Sequence, residues 1–584
     1  MKNINIKIKN TQLTDLWRHL SKRRRKQFFL VLMLMVFTSL TEIISLGAVL
    51  PFLGVLTAPE HLFQQPLMQP IIELLNVTTP NQLILPLTMA FIVAVIFAGL
   101  IRLLLLYVMM RLSYATGSDL SINIYRRTLY QDYTTHIARN SSELINSIIT
   151  KTNIVIGGVI TPILNFISSI IIAVAIVVLL SIINITVAFS AAIGLGVFYL
   201  IIIRYTKKQL LENSSIISGQ STQMVKSLQE GLGGIRDVLI NGSQKFYCNL
   251  YLKADLPFRR ASGNNKFISA SPRYAMEAIG IVLITVIAFN MSLNEEGLNT
   301  TIPILGSLAL GAQRLLPALQ LAYGSYTQLK GSHSSLGDIL DLLNQPLQQT
   351  ERCTPVLFKN DIILNNVSFR HMKDGKEKTP WIFENISLKI SKGARIGFIG
   401  ATGSGKSTLL DIIMGLLPPT SGTMTVDGQL VTRKNLGAWQ ANIAHVPQNI
   451  YLSDATIEEN IAFGLPKDEI NHQQVENAAK QAQIAELINN FEKGYQTLVG
   501  ERGVRLSGGQ RQRIGIARAL YNQANVLIFD EATSALDNDT EQSVMNAIEA
   551  LGKEVTILII AHRLTTLTGC DEIINLDEKK LKIS

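Results

Sequence analysis

Stretches of about twenty or more predominantly apolar residues, each enough to cross a bilayer, recur through the first ~330 residues. They lie near 28–56, 83–112, 155–182, 185–204, 267–293 and 300–328. Lipid offers no hydrogen-bond partners, so such segments must satisfy their backbone internally, and each is predicted to be a helix. The third and fourth are parted only by the weak break Ile183-Asn184-Ile185-Thr186, which predicts a helical hairpin. The chain of 584 residues is 47% apolar with a mean hydropathy of +0.26. Those values are high for a water-soluble protein and low for one wholly in lipid. The reading is a composite of a membrane part and an aqueous part, and the length suits more than one domain.

The placement of Lys and Arg sets the topology. None occurs from Gln27 to Ile101, from Thr152 to Ile203 or from Tyr274 to Gln313, and these windows hold every predicted outer loop. The connections at 111–151 and 204–273 are rich in both. Basic loops stay on the cytoplasmic side, which predicts six spans with both termini and both long loops in the cytoplasm. The formal charge of +10 and pI near 9.3 follow from that retention rather than from nucleic-acid binding. Lys22-Arg23-Arg24-Arg25-Lys26 precedes the first span and pins the N-terminal segment inside. No cleavable signal peptide is expected, because the apolar run after this cluster is too long for one. The long loops carry helical periodicity, as in "INIYRRTLYQDY" (122–133), and are expected to extend the membrane helices below the bilayer. Cys248, Cys353 and Cys570 are too scattered for a metal site or a disulfide framework.

Glu42, Arg102, Glu277 and Arg314 fall inside spans, where a charge is costly unless it is paired or faces a wet cavity. One expectation is a salt bridge between Glu42 and Arg314, both near mid-depth. The other is a polar cavity where Arg102 and Arg314 meet an anionic headgroup or diphosphate. A residue can serve both.

From about Leu357 the pattern becomes that of a soluble α/β domain. "ARIGFIG" (394–400) is a short apolar strand and "KSTLLDIIMGLL" (406–417) opens a helix. Between them Gly400-Ala401-Thr402-Gly403-Ser404-Gly405-Lys406-Ser407, followed by Thr408, fits the phosphate-cradling G-x-x-x-x-G-K-[ST] loop. Its glycines let backbone N–H groups wrap phosphates, Lys406 reaches their oxygens, and the Ser407 hydroxyl suits Mg²⁺. A second strand, "VLIFDEAT" (526–533), ends in Asp530, suited to Mg²⁺, and Glu531, suited to orienting or deprotonating a water. A third, "VTILIIAHR" (555–563), delivers His562 toward the same edge.

In this order the P-loop, "HVPQ" (445–448), "LSGGQ" (506–510), "IFDEATSALD" (528–537) and "AHR" (561–563) resemble an ATP-binding cassette. With six upstream spans, the whole chain resembles a half-size ABC exporter. The resemblance implies a multi-domain membrane protein: an all-α six-helix transmembrane domain, then an α/β P-loop NTPase cassette, with ATP and Mg²⁺ as cofactors. Expected boundaries are a cytoplasmic segment 1–26, a transmembrane domain 27–340 with long intracellular loops, a linker 341–356 and a cassette 357–584. It implies that Ser507, Gly508, Gly509 and Gln510 bind the γ-phosphate of ATP seated in a second copy, so the turn needs no lysine of its own. Gln448 is implied to contact Mg²⁺ and the attacking water, His562 the γ-phosphate, and Asp537 the dimer crossing. "GERG" (500–503) resembles the exporter X-loop, with Glu501 near loops descending from the bilayer. Coupling segments are expected near 134–143 and 230–240. One position departs from the pattern: His371 stands after "VSF", where the family usually places an adenine-stacking tyrosine, and Trp381 is a possible substitute. Intact Glu531 and LSGGQ imply a homodimer with two active sites in preference to a heterodimer.

The first span region, "SLTEIISLGAVLPFLGVLTAPE" (39–60), and the sixth, "GAQRLLPALQLAYGSYTQLKGSHSSL" (311–336), resemble bacterial flippases of lipid-linked oligosaccharides and polysaccharide exporters. That implies an amphipathic, lipid-linked substrate moved across the bacterial cytoplasmic membrane, with the cassette in the cytoplasm and no nucleic acid beyond ATP. The runner-up is an exporter of lipids, drugs or peptides, and the absence of an N-terminal peptidase segment weighs against peptides. A reading of another class is an ATP-gated channel or non-transporting regulator.

Overall fold

The computed structural model describes residues 11–57, 59–64, 69, 73, 78–183, 185–292, 298–347, 358–373, 377–533, 535–561, 563 and 567–577. The chain divides into two compact units, Met1–Gln131 with Ala138–Gln348, and Asp132–Ile137 with Gln349–Ser584.

The first unit is helical. The helix Lys22–Gly47 starts where the Ser21 hydroxyl accepts the Arg24 N–H at 3.2 Å. It resumes after Ala48 as Val49–Thr57, with Pro51 in the first turn, where its missing N–H is harmless. Ile84–Leu129 runs for 46 residues, and Ile185–Gly233 and Gln244–Ser292 for 49 each, far beyond the predicted spans. Lys22–Leu56, Pro80–Leu129 and Ser141–Ile182 are long and apolar enough to cross a membrane. The other predicted spans fall in Ile185–Gly233, Gln244–Ser292 and Leu298–Gly331, some of whose side chains lie outside the described residues.

Ser147–Lys151 and Ile156–Ile160 are wound as π-helix, a departure no spacing in the sequence announced. Gly158 in the second has close company: a Cβ there would fall 2.0 Å from the Ser332 hydroxyl. Lys151 is buried and its ammonium reaches Asp338 at 2.7 Å, whose carboxylate also accepts the Ser218 hydroxyl. The bond from Ser218 to Asp338 belongs to a seam between Ile185–Gly233 and the pair Leu298–Gly331 and His333–Leu343. Along it Tyr199 and Tyr323 rings lie 5.3 Å apart, and the Ser334 N–H donates to the Ser214 hydroxyl at 2.9 Å. The two helices therefore run side by side in one fixed register.

The second unit is built on a parallel sheet ordered Glu572–Asn575, Arg395–Ile399, Thr556–Ile560, Val526–Asp530, Ile443–Val446. Its inner strands are continuous apolar runs because both faces are covered. An antiparallel sheet, ordered Phe383–Ser391, Asp361–Phe369, Ser421–Val426, Gln429–Leu430, packs its apolar side into the same core. Asp132–Ile137 belongs to this unit, far from its other residues in sequence. The short helix Tyr133–Ala138 starts there, and Arg433 pairs with Asp132 at 2.7 Å beside a cavity of about 280 Å³.

Candidate functional site

Parallel strands all end at one edge of their sheet, and a loop entering a helix there presents backbone N–H groups to an anion. After Arg395–Ile399 the loop takes Gly400 at φ +146°, Gly403 at +88° and Gly405 at +95°, conformations that L side chains rarely adopt. Gly405 is also crowded, since a Cβ would fall 2.6 Å from Ile382 Cγ2. Gly403 has open space before it. Lys406 opens the helix Lys406–Ile413, is only 7% exposed, and donates to the carbonyls of Gly400 at 2.7 Å and Ala401 at 3.0 Å. Among the described residues the buried Ser404 hydroxyl has no hydrogen-bond partner. Thr402 is exposed and Thr408 half-buried on the next turn. A glycine cradle, a cation that donates to carbonyl oxygens and a buried hydroxyl unpaired among the described residues fit a polyphosphate.

Two carboxylates face this loop. The Ser407 hydroxyl donates to Asp530 at 3.4 Å, a hydroxyl–carboxylate pair with the oxygen chemistry Mg²⁺ prefers. Burial raises the Asp530 carboxyl above its usual range and the neighbouring Glu531 charge adds to this, while the Ser407 hydrogen bond and Lys406 oppose it. Glu531 turns sharply at φ +50°, its N–H donating to Ile560 at 3.0 Å, and its carboxylate accepts Gln448 Nε2 at 2.6 Å. Gln448, Glu531, Asp530, Ser407 and Lys406 thus converge although up to 125 positions separate them.

The LSGGQ turn is built differently. Ser507 caps the helix Gly508–Tyr521: its hydroxyl accepts the Gln510 N–H at 3.3 Å, and Gln510 Oε1 accepts the Ser507 N–H at 2.9 Å. A Cβ at Gly509 would come 3.0 Å from the Ala535 carbonyl, and Gln512 accepts the Ala535 N–H at 2.9 Å. Asp537 in turn caps Asn538–Glu549 by accepting the Thr540 N–H at 3.0 Å. Among the described residues these contacts tie the turn to the 535–537 segment rather than to the phosphate loop of its own chain. Glu501 is exposed and opens a tight turn in which Arg502 has φ +52°. His371 is exposed and meets Phe369 edge-on at 5.3 Å, whereas Trp381 carries the Arg370 guanidinium over its ring at 4.3 Å. His562 lies outside the described residues.

Asp577 had no motif to mark it. It accepts the Ala401 N–H at 2.7 Å and so fixes the start of the phosphate loop. Its only sequence signal was an acidic residue closing an apolar strand, as at Asp530.

In the first unit a cavity of about 810 Å³ is lined by Thr38, Phe52, Phe91, Arg102, Ser168 and Gln313, among others. Among the described residues buried Glu42 pairs with Arg102, because Lys22–Gly47 packs along Ile84–Leu129 and brings the two to one level. Arg314 lies on Leu298–Gly331, but its side chain is outside the described residues. Glu277 does not line this cavity; it is half exposed and paired one helical turn away with Arg273 at 2.7 Å.

Known proteins divide along the same line. Residues 27–302 match the model of the ABC transporter transmembrane region, and 383–534 that of the ABC transporter. The heterocyst differentiation ATP-binding protein HepA of Nostoc sp. is 30% identical over 455 residues, 76% of this chain and 71% of that protein. An ATP-dependent lipid A-core flippase of Vibrio parahaemolyticus is 33% identical over 402 residues, 68% of this chain and 66% of that protein. The chain therefore spans just under two thirds of that flippase's length. A solved bacterial Atm1-family ABC exporter with ATP bound has the same fold, with a TM-score of 0.77 over 96% of this chain and 94% of that one, at 24% identity.

Proposed function

This chain belongs to the ABC transporter family, as a half-size exporter fusing a helical membrane domain to an α/β ATP-binding cassette, and from that premise we propose that it hydrolyses ATP to drive an amphipathic, lipid-linked oligosaccharide or glycolipid across the cytoplasmic membrane. The observation that carries the hydrolysis is the 2.6 Å contact between Gln448 and Glu531 beside Asp530, Ser407 and Lys406. In this reading Lys406 and the loop N–H groups hold the phosphates. Glu531, fixed by its turn and by Gln448, takes a proton from water as the water oxygen bonds to the γ-phosphorus. The bond to the β–γ bridging oxygen breaks and ADP leaves. Ser407, Asp530 and Gln448 would hold Mg²⁺, which when bound neutralises charge on the β- and γ-phosphate oxygens. His562 is assigned to the γ-phosphate, and Trp381 or His371 to adenine, by resemblance.

Among the described residues the LSGGQ turn contacts the 535–537 segment and not its own phosphate loop, which supports a homodimer in which Ser507, Gly508, Gly509 and Gln510 complete the partner's site and Asp537 lies at the crossing. ATP then favours the closed pair, hydrolysis releases it, and the cavity alternates between inward and outward access. The positive-inside pattern supports a cytoplasmic cassette. Phe52 and Phe91 beside Arg102 suit a lipid with a polar head. The Glu42–Arg102 pair favours a second reading, a neutral lipid or drug, since it cancels charge at the cavity wall.

Glu531→Gln is expected to cut steady-state phosphate release by roughly 10²–10³-fold while ATP is still bound, as removal of a general base does. Stimulation of the reconstituted protein by lipid-linked glycans, and not by neutral drugs, would support the cargo; stimulation by drugs alone would discard it.

A further inference from the structure

The helix Thr11–His19 carries Leu13, Leu16 and Trp17 at helical spacing, with Asp15, Arg18 and His19 on its other side. Leu16 and the following Leu20 are buried in one cluster with Leu336, Ile339 and Leu340. Leu13 and Trp17 stay exposed, and Trp17 meets Phe28 edge-on at 5.7 Å. Beside this helix runs a groove of about 460 Å³. One wall is Phe28, Leu32 and Met35 from Lys22–Gly47, and the other is Ile160, Ile163 and Ile167 from the third predicted span.

Among the described residues Arg25 is the one ionisable side chain lining this groove. It is half-buried, and it donates from Nε to the Trp17 carbonyl at 3.2 Å and from Nη2 to the Arg18 carbonyl at 2.8 Å. Its neighbour Arg24 is held by the Asp119 carboxylate at 2.8 Å. Among the described residues no carboxylate pairs with Arg25, so its charge stands uncancelled at the end of an apolar channel.

Depth and charge together identify the occupant. The predicted spans 28–56 and 155–182 both leave the cytoplasm, so the groove runs inward from the cytoplasmic face. Phe28 to Met35 and Ile160 to Ile167 each rise about 10 Å, within the ~15 Å of hydrocarbon in one leaflet. The solvent at that depth is lipid chain. Trp17 is the ring expected at the interface, and Arg25 lies at the level of the phosphates of a leaflet rich in anionic lipid. A guanidinium is suited to phosphate.

We propose that this groove holds one acyl chain of an anionic glycerophospholipid of the inner leaflet, with its phosphate on Arg25. The lipid ties Thr11–His19 to the first and third spans as a resident component, not as cargo, so the site does not rest on the glycolipid reading above.

The test uses the full-length protein, stripped of lipid in detergent, and native mass spectrometry, which counts bound lipid without turnover. The probes are phosphatidylglycerol, diacylglycerol with the same chains, and glycerophosphoglycerol, the head without its tails. Arg25→Gln is expected to weaken phosphatidylglycerol roughly tenfold, the loss of a charge-assisted hydrogen bond, and diacylglycerol less than about twofold. Arg25→Lys keeps the charge and should hold phosphatidylglycerol within about threefold of the parent, which separates charge from folding. Ile163→Trp fills the groove and should weaken both tailed lipids roughly tenfold. Equal loss of both tailed lipids in Arg25→Gln overturns the site, as does unchanged phosphatidylglycerol binding in either Arg25→Gln or Ile163→Trp. So does displacement of phosphatidylglycerol by glycerophosphoglycerol at the same concentration. A change of oligomeric state in Ile163→Trp with lipid binding intact would give the groove to a second copy of the chain and would likewise end the proposal.

Discussion

Lys406 in the cassette and Arg102 in the membrane unit are both cations withdrawn from bulk water, and the protein treats them in opposite ways. Lys406 is met by the carbonyls of Gly400 and Ala401, partial charges that leave most of its own charge uncancelled. Arg102 is met by the full charge of Glu42. The first is a cation prepared for a polyanion, and the second is a cation whose main work is already done. A charged residue in a cavity is therefore weak evidence for an ionic ligand until its partner is known.

The contrast can be broken most forcefully at Lys406. Lys406→Ala is expected to lower ATP affinity roughly 10–100-fold, the loss of charge-assisted hydrogen bonds, with little change in thermal stability. A fluorescent nucleotide titration reads this, and unchanged affinity would mean that the ammonium is spoken for in the fold.

At Arg102 the expected effect is on folding instead. Glu42→Gln leaves a half-exposed guanidinium without its buried counter-ion, costing about 1–2 kcal/mol after allowance for solvent. The double replacement Glu42→Gln with Arg102→Met should recover most of it in a thermal melt of the detergent-solubilised protein. A double variant as unstable as the single one would remove the pair from the account.

The smallest effect sharpens the picture of crowded charge near the phosphate loop. Burial and then the charge of Asp530 push Asp411 up to about 6 from 3.8. The folded chain thus holds a proton that the unfolded chain releases, so stability falls as pH rises through that interval. Asp411 is only partly buried, and the contribution discounts to about 1 kcal/mol. Asp411→Asn should be more stable than the parent by that amount at pH 7.5, with the gap closing below pH 4. Trp439, buried with its indole N–H on the Ile413 carbonyl at 2.8 Å, reports the cassette's unfolding by fluorescence.

The sequence was most legible where chemistry is local. Gly400 to Ser407 declare a loop because three left-handed turns and one lysine must fall within a few residues, and Asp530 with Glu531 are marked by the apolar strand that delivers them. Helix lengths were legible in part, since 84–129 and 185–233 continue past the apolar run into amphipathic sequence. What could not be read was register between helices. Depth placed Glu42 near the middle of its span, yet depth leaves open which helix lies alongside, and the pairing with Arg102 was not foreseen. Asp577 and the π-wound segments fail for the same reason, because each is defined by a neighbour remote in the chain.

The helix that begins at Tyr133 has a practical consequence. Six residues embedded in the sequence of the membrane unit complete the surface of the other, with Asp132 on Arg433 beside Leu417, Leu430, Val431 and Leu436. A cassette cut from the gene at residue 349 would leave that flank uncovered, greasy and prone to self-association. Supplying the missing hexapeptide in trans should make such a fragment better behaved in solution.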